Sequence, residues 1–424
     1  MMVGPVWADC VLYDRKVFMY FFVAILLTGG SIFELSRKKA QYKIYYIFLT
    51  IMTFMLCFRY GQGTDYFAYR DQFLLMKNNL SFFQAYQLAK HGEIGWYFLL
   101  WIMNRLSISF EGFIFILSFF LMLFTHKAIK EFSPYPIVSL LLLYPTFYLT
   151  YYYSALRQAI GLALFLGYGI SFLTNKNYFK YVLLVLILTS FHSSAVVLLV
   201  VPFFLDSGRR RFLALACMIG ALLGYTGFIG RMTKIVLGYG NYLAIIPSVH
   251  AMLVRLLYFI MIYLMHKANL SLESKIENTL YSIYFIGFFI FNALSFSSII
   301  SQRLTMPMKA VEILLIPLEI SLILSQRTAT LSSKLFNNKR VSFKTVTVLC
   351  MVLIVICTVP NVEFVKNIAS YLVQSSYFTE IGVYEYPYLN IFNRSQIFKY
   401  RIVPLKRKPE SARRSEIYEA YLEK

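Results

Sequence analysis

The sequence predicts an all-α, polytopic integral membrane protein, a bundle of about ten to twelve transmembrane helices. Three observations predict this class. Hydrophobic residues make up 59% of the 424 residues and charged residues only 14%, against roughly 25% charged in an ordinary soluble domain. Apolar runs recur along the chain, each close to the ~20 residues that a helix needs to cross a bilayer. Lysine and arginine concentrate in the short connections between those runs.

Ten apolar segments have the composition of single crossings. They lie at 17–35, 43–58, 110–126, 135–153, 155–173, 212–229, 251–266, 279–298, 304–325 and 343–360. The first has no basic region before it and is too long for a cleavable signal peptide, so we expect it to act as an uncleaved signal.

Six short connections hold the densest Lys/Arg clusters, and the positive-inside rule places all six in the cytoplasm. They are "SRKKAQYK", "HKAIK", "NKNYFK", "DSGRRR", "HKANLSLESK" and "SQRTATLSSKLFNNKR". The remaining connections then face outward, including the loop 59–92. The formal net charge of +21 is scattered over these connections, which favours anionic lipid headgroups rather than nucleic acid as the partner.

The odd or even number of crossings between two connections, here called parity, constrains the apolar segment 93–108. The loop 59–92 and "HKAIK" fall on opposite sides, so only one full crossing fits between them. The segment is therefore predicted to be interfacial or half-buried. Three aromatic residues and an arginine suit an interface helix. They are Trp96, Tyr97, Trp101 and Arg105.

Parity also constrains the segment 180–205. Its flanking connections, "NKNYFK" and "DSGRRR", both face inward, so the segment should enter the membrane and return. We expect a broken, re-entrant helix with His192 at the tip, near "SFHSSA". Non-helical backbone at membrane depth is tolerated only when it is buried in protein or lines a wet cavity. His192 is therefore expected in a pocket.

Two domains follow from this interpretation. Residues 1–360 form one multi-pass domain whose outer loop is 59–92. The tail 361–424 is amphipathic and then strongly basic. Parity places the tail outside and its charge argues for the inside, and we favour the outer face.

The stretch "RYGQGTDYFAYRDQF" at 59–73 is the first candidate for a site. Gly61 and Gly63 can adopt backbone angles closed to other residues, which allows a tight fold over the membrane surface. We expect this fold to hold Asp65 near Arg59.

Tyrosines in the same loop offer flat apolar faces with hydroxyl tips. Carboxylates beside aromatic platforms suit sugars, which present hydroxyl edges and C–H faces. Tyr66 and Tyr69 are therefore candidate sugar contacts. An ordinary aromatic belt at the interface, with a surface salt bridge, is the alternative.

The second candidate is "TYYYSALRQAIGLALF". Ser154 is a good N-cap, which would leave Arg157 and Gln158 in the first turn of a helix entering from outside. Free N–H groups and the helix dipole attract anions there, and an arginine adds a bidentate phosphate contact. The alternative is an arginine that snorkels to lipid headgroups.

Further along the chain, Arg303 begins its span at the outer side, as Arg157 does. Two such arginines facing one cavity would suit a pyrophosphate, although each alone is also an ordinary interface anchor. Glu312 and Glu319 share a helix face, where they would line the same cavity or pair with Lys309. His192 has the alternative of a satisfied polar group in a bundle.

Missing motifs narrow the function. The chain has no GxxxxGK[ST], no GxGxxG, no HExxH and no Asp-x-Asp, so ATP-driven work, cytoplasmic nucleotide-sugar donors and a metal site are not predicted. The five cysteines show no metal-ligand spacing. We expect no cofactor.

Five stretches, in this order, resemble the EpsG family of Wzy-type bacterial polysaccharide polymerases. They are "RYGQGTDYFAY", "EIGWYFL", "SALRQAIGLALF", "LTSFHSSAVVLLVVPFF" and "QRL". The resemblance covers 43–205 well and the C-terminal half only in hydropathy. It implies an enzyme of the bacterial plasma membrane that transfers a growing glycan from undecaprenyl pyrophosphate to a new lipid-linked repeat unit at the outer face. The implied partners are these donor and acceptor lipids, membrane lipids, a chain-length regulator and a flippase.

The resemblance assigns roles to the residues already singled out. Arg157 and Arg303, with Arg59, would stabilise the departing pyrophosphate without a metal. The general base would be Asp65 first and His192 second. Sugars and lipid head would be held by substrate-binding residues, and helix grooves would hold the polyprenyl tails. The substrate-binding residues are Arg59, Tyr66, Tyr69, Glu93, Gln158 and Arg303.

Two other functions remain open. A transporter or flippase of lipid-linked oligosaccharides would also place cations in a cavity, but it predicts charges through the depth of the bundle and internal two-fold symmetry. The charged candidates here gather toward the outside, and no repeat is evident. A membrane acyltransferase would need a buried catalytic histidine reached by an acyl donor from inside, and His192 alone is thin support for it.

Overall fold

A computed structural model describes residues 18–63, 65–76, 81–89, 92–225, 249–268, 274–334, 388, 390–392 and 394. Within these ranges the chain folds into helices α1 to α14 and one 3₁₀ helix. They are α1 (Phe18–Arg37), α2 (Tyr42–Cys57), α3 (Tyr66–Leu75), α4 (Phe82–Ala89), α5 (Ile94–Arg105), α6 (Phe110–Phe132), α7 (Pro136–Leu143, continuing as the π-helix Tyr144–Tyr152), α8 (Leu156–Thr174, π-helical at Phe165–Gly169), α9 (Tyr178–Phe191), the 3₁₀ helix Ser193–Phe204, α10 (Ser207–Tyr225), α11 (Val249–Ala268), α12 (Lys275–Ala293), α13 (Ser298–Ala310) and α14 (Glu312–Lys334). The described ranges contain no strand.

The predicted all-α membrane bundle is confirmed. In the part of the chain that is described, α1, α6 and α8 are long and apolar enough to cross a membrane, and α2, α9 and the 3₁₀ helix are shorter apolar helices. Many outward side chains are large and apolar, as lipid contact requires. Phe179 on α9 is 81% exposed. The predicted count of ten to twelve crossings stays a prediction, since the span 343–360 and most of the tail 361–424 lie outside the described residues.

The described connections between helices fall into two groups, one at each end of the bundle, as the Lys/Arg pattern predicts. One end of the bundle, the basic end, carries the connections 36–43, 126–130, 174–180 and 206–211. The opposite end, the loop end, carries 59–63, 153–157 and residue 192. At the basic end the Tyr45 hydroxyl bonds His126 Nδ1 at 2.8 Å. At the loop end the Tyr20 hydroxyl donates to Gln62 Oε1 at 2.8 Å. The relative sidedness of these segments was therefore predictable from Lys/Arg placement alone.

The segment 93–108 contains the helix α5, and two of its aromatic residues are buried inside the bundle. A helix as short as α5 rises only about 18 Å, well under a bilayer core. Trp101 and Arg105 lie on its outer side, with the guanidinium 5.9 Å from the indole. Trp96 and Tyr97 are fully buried, so their predicted role as interface anchors is wrong. Trp96 Nε1 donates to Gln72 Oε1 at 2.9 Å. Tyr97 lies edge-on to Tyr86, so the two side chains pack against α3 and α4 respectively.

The predicted break at His192 is confirmed. Here α9 ends, His192 is extended (φ −155°, ψ 118°), and the 3₁₀ helix begins at the next residue. The two arms pack against each other, and the Tyr181 hydroxyl on the first donates to the Leu198 carbonyl on the second at 2.8 Å. His192 is buried at the turn of this hairpin.

The prediction that 304–325 forms one continuous helix is wrong. The chain forms α13, turns at Val311, and then forms α14. Pro307 and Pro317 lie inside these helices, and each removes a backbone donor, so an unbroken straight helix is disfavoured here.

Part of the tail contacts the loop end. The Ile391 N–H donates to the Phe58 carbonyl at 3.1 Å, and Asn390 forms an isolated antiparallel bridge with Arg59. The Tyr388 hydroxyl donates to the Met55 carbonyl at 3.0 Å. Residues 388 and 390–392 therefore lie at the same end of the bundle as the loop 59–63.

Candidate functional site

Gly61 and Gly63 shape the first part of the loop. Both have positive φ, 65° and 100° respectively, which confirms the predicted tight fold. Gly63 also rests directly on the chain before α8, because a Cβ there would lie 2.1 Å from the Tyr153 carbonyl oxygen. The loop is thus fixed to the N-terminus of the helix that carries Arg157.

The predicted pairing of Arg59 with Asp65 is wrong. Its guanidinium is turned into the bundle, with the residue only 1% exposed. Nη1 donates to the Leu56 carbonyl at 2.7 Å and to Ser118 Oγ at 2.8 Å, and the group lies over the Tyr153 ring at 5.2 Å. Arg59 therefore supports the wall beneath the start of α8.

Helix α3 turns its tyrosines inward. Tyr66 is 1% exposed and stacks edge-on against Tyr60 and Phe110, so in this conformation it has no surface to offer a sugar. Tyr69 is also buried, edge-on to Trp96 at 5.0 Å. They point inward together because a spacing of three residues places side chains on one helix face. The Tyr69 hydroxyl forms a hydrogen bond with Arg157, so this tyrosine orients the arginine.

Glu93 and His192 meet at the loop end, although they are 99 positions apart in the chain. Glu93 Oε1 lies 2.6 Å from His192 Nδ1. The approach depends on Gly95, where a Cβ would lie 2.2 Å from Ser190 Oγ. Glycine at that position brings the start of α5 against the end of α9.

Arg157 completes an ionic triplet with these two residues. Its Nη1 donates to Glu93 Oε2, so the carboxylate bridges the guanidinium and the imidazole. Arg157 lies in the first turn of α8, as predicted. The predicted cap was one residue early, because Ala155 occupies the N-cap position and makes no side-chain hydrogen bond.

Gln158 contacts the other nitrogen of the imidazole. Its Nε2 lies 3.1 Å from His192 Nε2. If the amide N–H donates here, the ring carries its proton on Nδ1, facing Glu93, and presents Nε2 as an acceptor. A carboxylate fixing the Nδ1–H of a histidine is the usual way to hold such a ring ready as a base.

Contacts within the triplet stabilise the ionised form of Glu93. Burial alone would raise the pKa of the Glu93 carboxyl, but the hydrogen bond with His192 and the charge of Arg157 lower it on balance. Burial, with the Asp65 charge, raises the pKa of the Tyr69 hydroxyl to about 12, and Arg157 opposes that rise. Glu93 is therefore an anion and Tyr69 a neutral phenol at neutral pH.

The triplet remains open on one side. Side-chain exposure is 28% for Arg157, 13% for Glu93 and 11% for His192. Arg157 is therefore the most exposed of the three side chains. We name Glu93, Arg157, Gln158 and His192 the site cluster.

An apolar groove lies among the helices that carry the site cluster. Its cavity volume is about 180 Å³, and it is walled by side chains from α5, α6, α8 and α9. The walls are Leu99, Met103, Phe113, Ile116, Leu117, Phe120, Leu121, Phe124, Ile160, Leu164 and Phe191. Phe191 directly precedes His192, and Ile160 lies one turn beyond Arg157. Close chain neighbours of the site cluster therefore form part of the groove wall.

Other predicted site residues lie around this centre. Asp65 is half-buried just before α3, and its charge acts on the Tyr69 hydroxyl. Arg303 is exposed on α13, which packs against α8. Glu312 pairs with Lys309 at 3.4 Å, as predicted, whereas Glu319 contacts His266 and lies in a different cluster.

Sequence reasoning missed two parts of the site. Glu93 was a candidate only through the family resemblance, and its position between Arg157 and His192 was not foreseen. Gly95 was not singled out at all. Its signal is a glycine inside the first turn of an apolar helix, where it costs helix stability and so indicates close packing.

Comparison with known proteins gives one match. The family model described as "EpsG family" matches residues 42–335. This range includes the whole site cluster, the loop 59–63 and Arg303. Neither a curated protein sequence nor a solved structure matches the chain.

Proposed function

We propose that this chain, which belongs to the EpsG family of polysaccharide polymerase-type membrane proteins, joins lipid-linked oligosaccharide repeats at the outer face of the plasma membrane. The observation that carries the proposal is the site cluster. A cation, a carboxylate and an oriented imidazole converge at one end of the bundle, beside an apolar groove.

The proposed reaction transfers a glycan from a polyprenyl pyrophosphate to a sugar hydroxyl. The acceptor oxygen attacks the anomeric carbon of the donor, and a new C–O bond forms. The bond from that carbon to the pyrophosphate oxygen breaks, and the electron pair leaves with the lipid pyrophosphate. The acceptor proton passes to a base on the protein.

His192 is the base that the geometry favours. Its Nδ1 faces Glu93 at 2.6 Å, so the imidazolium formed by accepting the proton on Nε2 would be stabilised by a carboxylate. A positioned general base contributes typically ~10²- to 10⁴-fold in rate. The Nε2 atom faces Gln158 in this conformation, so the acceptor hydroxyl would displace that amide. Asp65 remains the alternative base, acting from beside Tyr69.

Arg157 is the proposed group that stabilises the departing pyrophosphate. One guanidinium nitrogen is engaged by Glu93, and the Arg157 side chain is 28% exposed. Removing one electrostatic donor of this kind typically costs ~10²- to 10³-fold in rate. Arg303 on the neighbouring α13 is the proposed second phosphate contact. Arg59 and Tyr66, both buried, would act by supporting the wall of the site rather than by touching substrate.

The test is complementation of a deletion strain, with surface polysaccharide resolved on a gel. Wild type should restore a ladder, whereas His192→Gln, Glu93→Gln and Arg157→Lys should leave single repeats on the carrier at equal protein levels. His126→Gln is the matched control, because that histidine bonds Tyr45 at the basic end, and it should restore the ladder.

Two outcomes would contradict the proposal. Unchanged polymer length and amount in Asp65→Asn, His192→Gln and Arg157→Lys would remove every candidate base and the phosphate contact. Loss of even the single outward-facing repeat from the deletion strain would point to export, and a flippase would replace the polymerase.

A further inference from the structure

A second cluster of ionisable side chains lies far from the site cluster along the chain. His266 is in the last turn of α11, Glu277 in the first turn of α12, and Glu319 in α14. All three are buried, at 8%, 1% and 0% exposure. His266 Nδ1 lies 2.5 Å from Glu277 Oε1 and 3.8 Å from Glu319 Oε1.

The three residues offer one nitrogen and two oxygen ligands that lie within 4.8 Å of one another. Imidazole and carboxylate together suit first-row divalent ions such as Zn²⁺ and Mn²⁺. We propose that His266, Glu277 and Glu319 form a binding site for such an ion, which joins α11, α12 and α14.

An unpartnered ligand atom supports the site independently of the clustering. Glu277 Oε2 is buried and accepts no hydrogen bond from any residue that the structure describes. An anionic oxygen in that state is costly, and coordination to a cation would satisfy it.

The imidazole is held in the orientation that coordination needs. Its ring stacks on Tyr281 at 3.7 Å between centroids and 14° between planes, so Nδ1 stays directed at the two carboxylates. Such outer contacts tune metal sites by fixing the ligand ring. The Arg210 guanidinium also lies over the Tyr281 ring, 5.4 Å from its centroid.

Binding requires one proton to leave and a small opening. Ligands around a tetrahedral ion lie about 3.4 Å apart at bond lengths of ~2.1 Å, so the 2.5 Å contact between His266 and Glu277 must widen by roughly 1 Å. The ion takes the Nδ1 lone pair, and any Nδ1 proton goes to solvent. Affinity should therefore fall as pH decreases.

The test uses full-length protein in detergent, stripped with a chelator and titrated separately with Zn²⁺, Mn²⁺ and Mg²⁺. Bound ion is measured by mass spectrometry after desalting, and the melting temperature is followed in parallel. We expect about one Zn²⁺ or Mn²⁺ per chain, a higher melting temperature with the ion, and much weaker uptake of Mg²⁺.

Variants locate the ion. His266→Gln and Glu277→Gln should each weaken binding by at least ~10²-fold. Glu312→Gln, on the same helix as Glu319 but paired with Lys309, and His126→Gln should bind as wild type does. The wild-type titration stands even if a ligand variant fails to fold.

Absence of stoichiometric Zn²⁺ or Mn²⁺ in wild type would overturn the site, as would equal loss in Glu312→Gln. A higher melting temperature for Glu277→Gln than for metal-treated wild type would also overturn the site. That gain is expected if the buried carboxylates share a proton instead of binding an ion. None of these outcomes depends on polymerase activity.

Discussion

Gly95→Ala should lower polymer synthesis by about 100-fold at unchanged protein level, because it separates Glu93 from His192 without altering either side chain. The added Cβ would lie 2.2 Å from Ser190 Oγ and 3.0 Å from Ser190 Cβ and backbone C. A contact of 2.2 Å cannot persist, so either Ser190 Oγ rotates away or the two segments move apart by roughly 1 Å.

The energetic cost follows from the same contacts. Ser190 Oγ donates to the Ile187 carbonyl at 2.7 Å, so rotating it away loses a hydrogen bond worth ~1 kcal/mol. Overpacking typically costs ~1 to 3 kcal/mol in the free energy of unfolding. The protein should therefore fold, and a displacement of ~1 Å at a catalytic pair can cost ~10²-fold in rate.

The assay compares initial rates of polymer formation by purified protein on a lipid-linked repeat. Ser190→Ala alone should behave as wild type. Combined with Gly95→Ala, it removes the 2.2 Å contact and leaves those at 3.0 Å, so the rate should return to within ~10-fold of wild type. Gly29→Ala, where a Cβ meets nothing within 4 Å, is the control. A wild-type rate in Gly95→Ala would refute the role of the Glu93–His192 contact.

Further predictions concern the loop, the ion pair and the groove. Gly63→Ala should abolish monodisperse protein on size exclusion, because its φ of 100° and a 2.1 Å contact with backbone leave no room for a Cβ; a well-folded variant would contradict the loop geometry. The pKa of Glu93 is lower in the folded protein than in the unfolded chain. Its ionised form therefore stabilises the fold fully above the unfolded pKa of ~4.3, and this stabilisation is lost as the pH falls through the lower folded pKa. Melting temperatures of wild type and Glu93→Gln should therefore converge on acidification, and a constant gap would argue against an ionised Glu93. Arg157→Lys should reduce kcat by ~10²-fold or more, since lysine cannot form a bidentate phosphate contact, and an unchanged kcat would exclude it from the chemistry. Leu164→Trp should raise KM for the lipid-linked substrate while a short-chain analogue is unaffected, and equal effects on both would argue that the groove holds no lipid.

The sequence predicted features that depend on local rules. Lys/Arg placement predicted which connections share an end of the bundle, because that rule concerns insertion and not packing. The break at His192 followed from parity, and the positive φ of Gly61 and Gly63 followed from residue type.

Features that depend on distant contacts were not predictable in the same way. The inward face of α3 is set by aromatic partners such as Phe110, so Tyr66 was assigned to sugar although it is core. Arg59 was expected beside a carboxylate close in sequence, but its partners come from α2 and α6. The Glu93–His192 contact spans 99 positions, and no spacing rule reaches that far.

The central claim is tested most directly by one reaction with purified full-length protein in membranes. Lipid-linked repeat units are supplied, and both polymer and released polyprenyl pyrophosphate are quantified for wild type, His192→Gln and the control His126→Gln. The account predicts a ladder with matching pyrophosphate release from wild type and control, and a loss of ~10²-fold or more in both products from His192→Gln. Equal polymer from His192→Gln, or no pyrophosphate release from wild type, would contradict it.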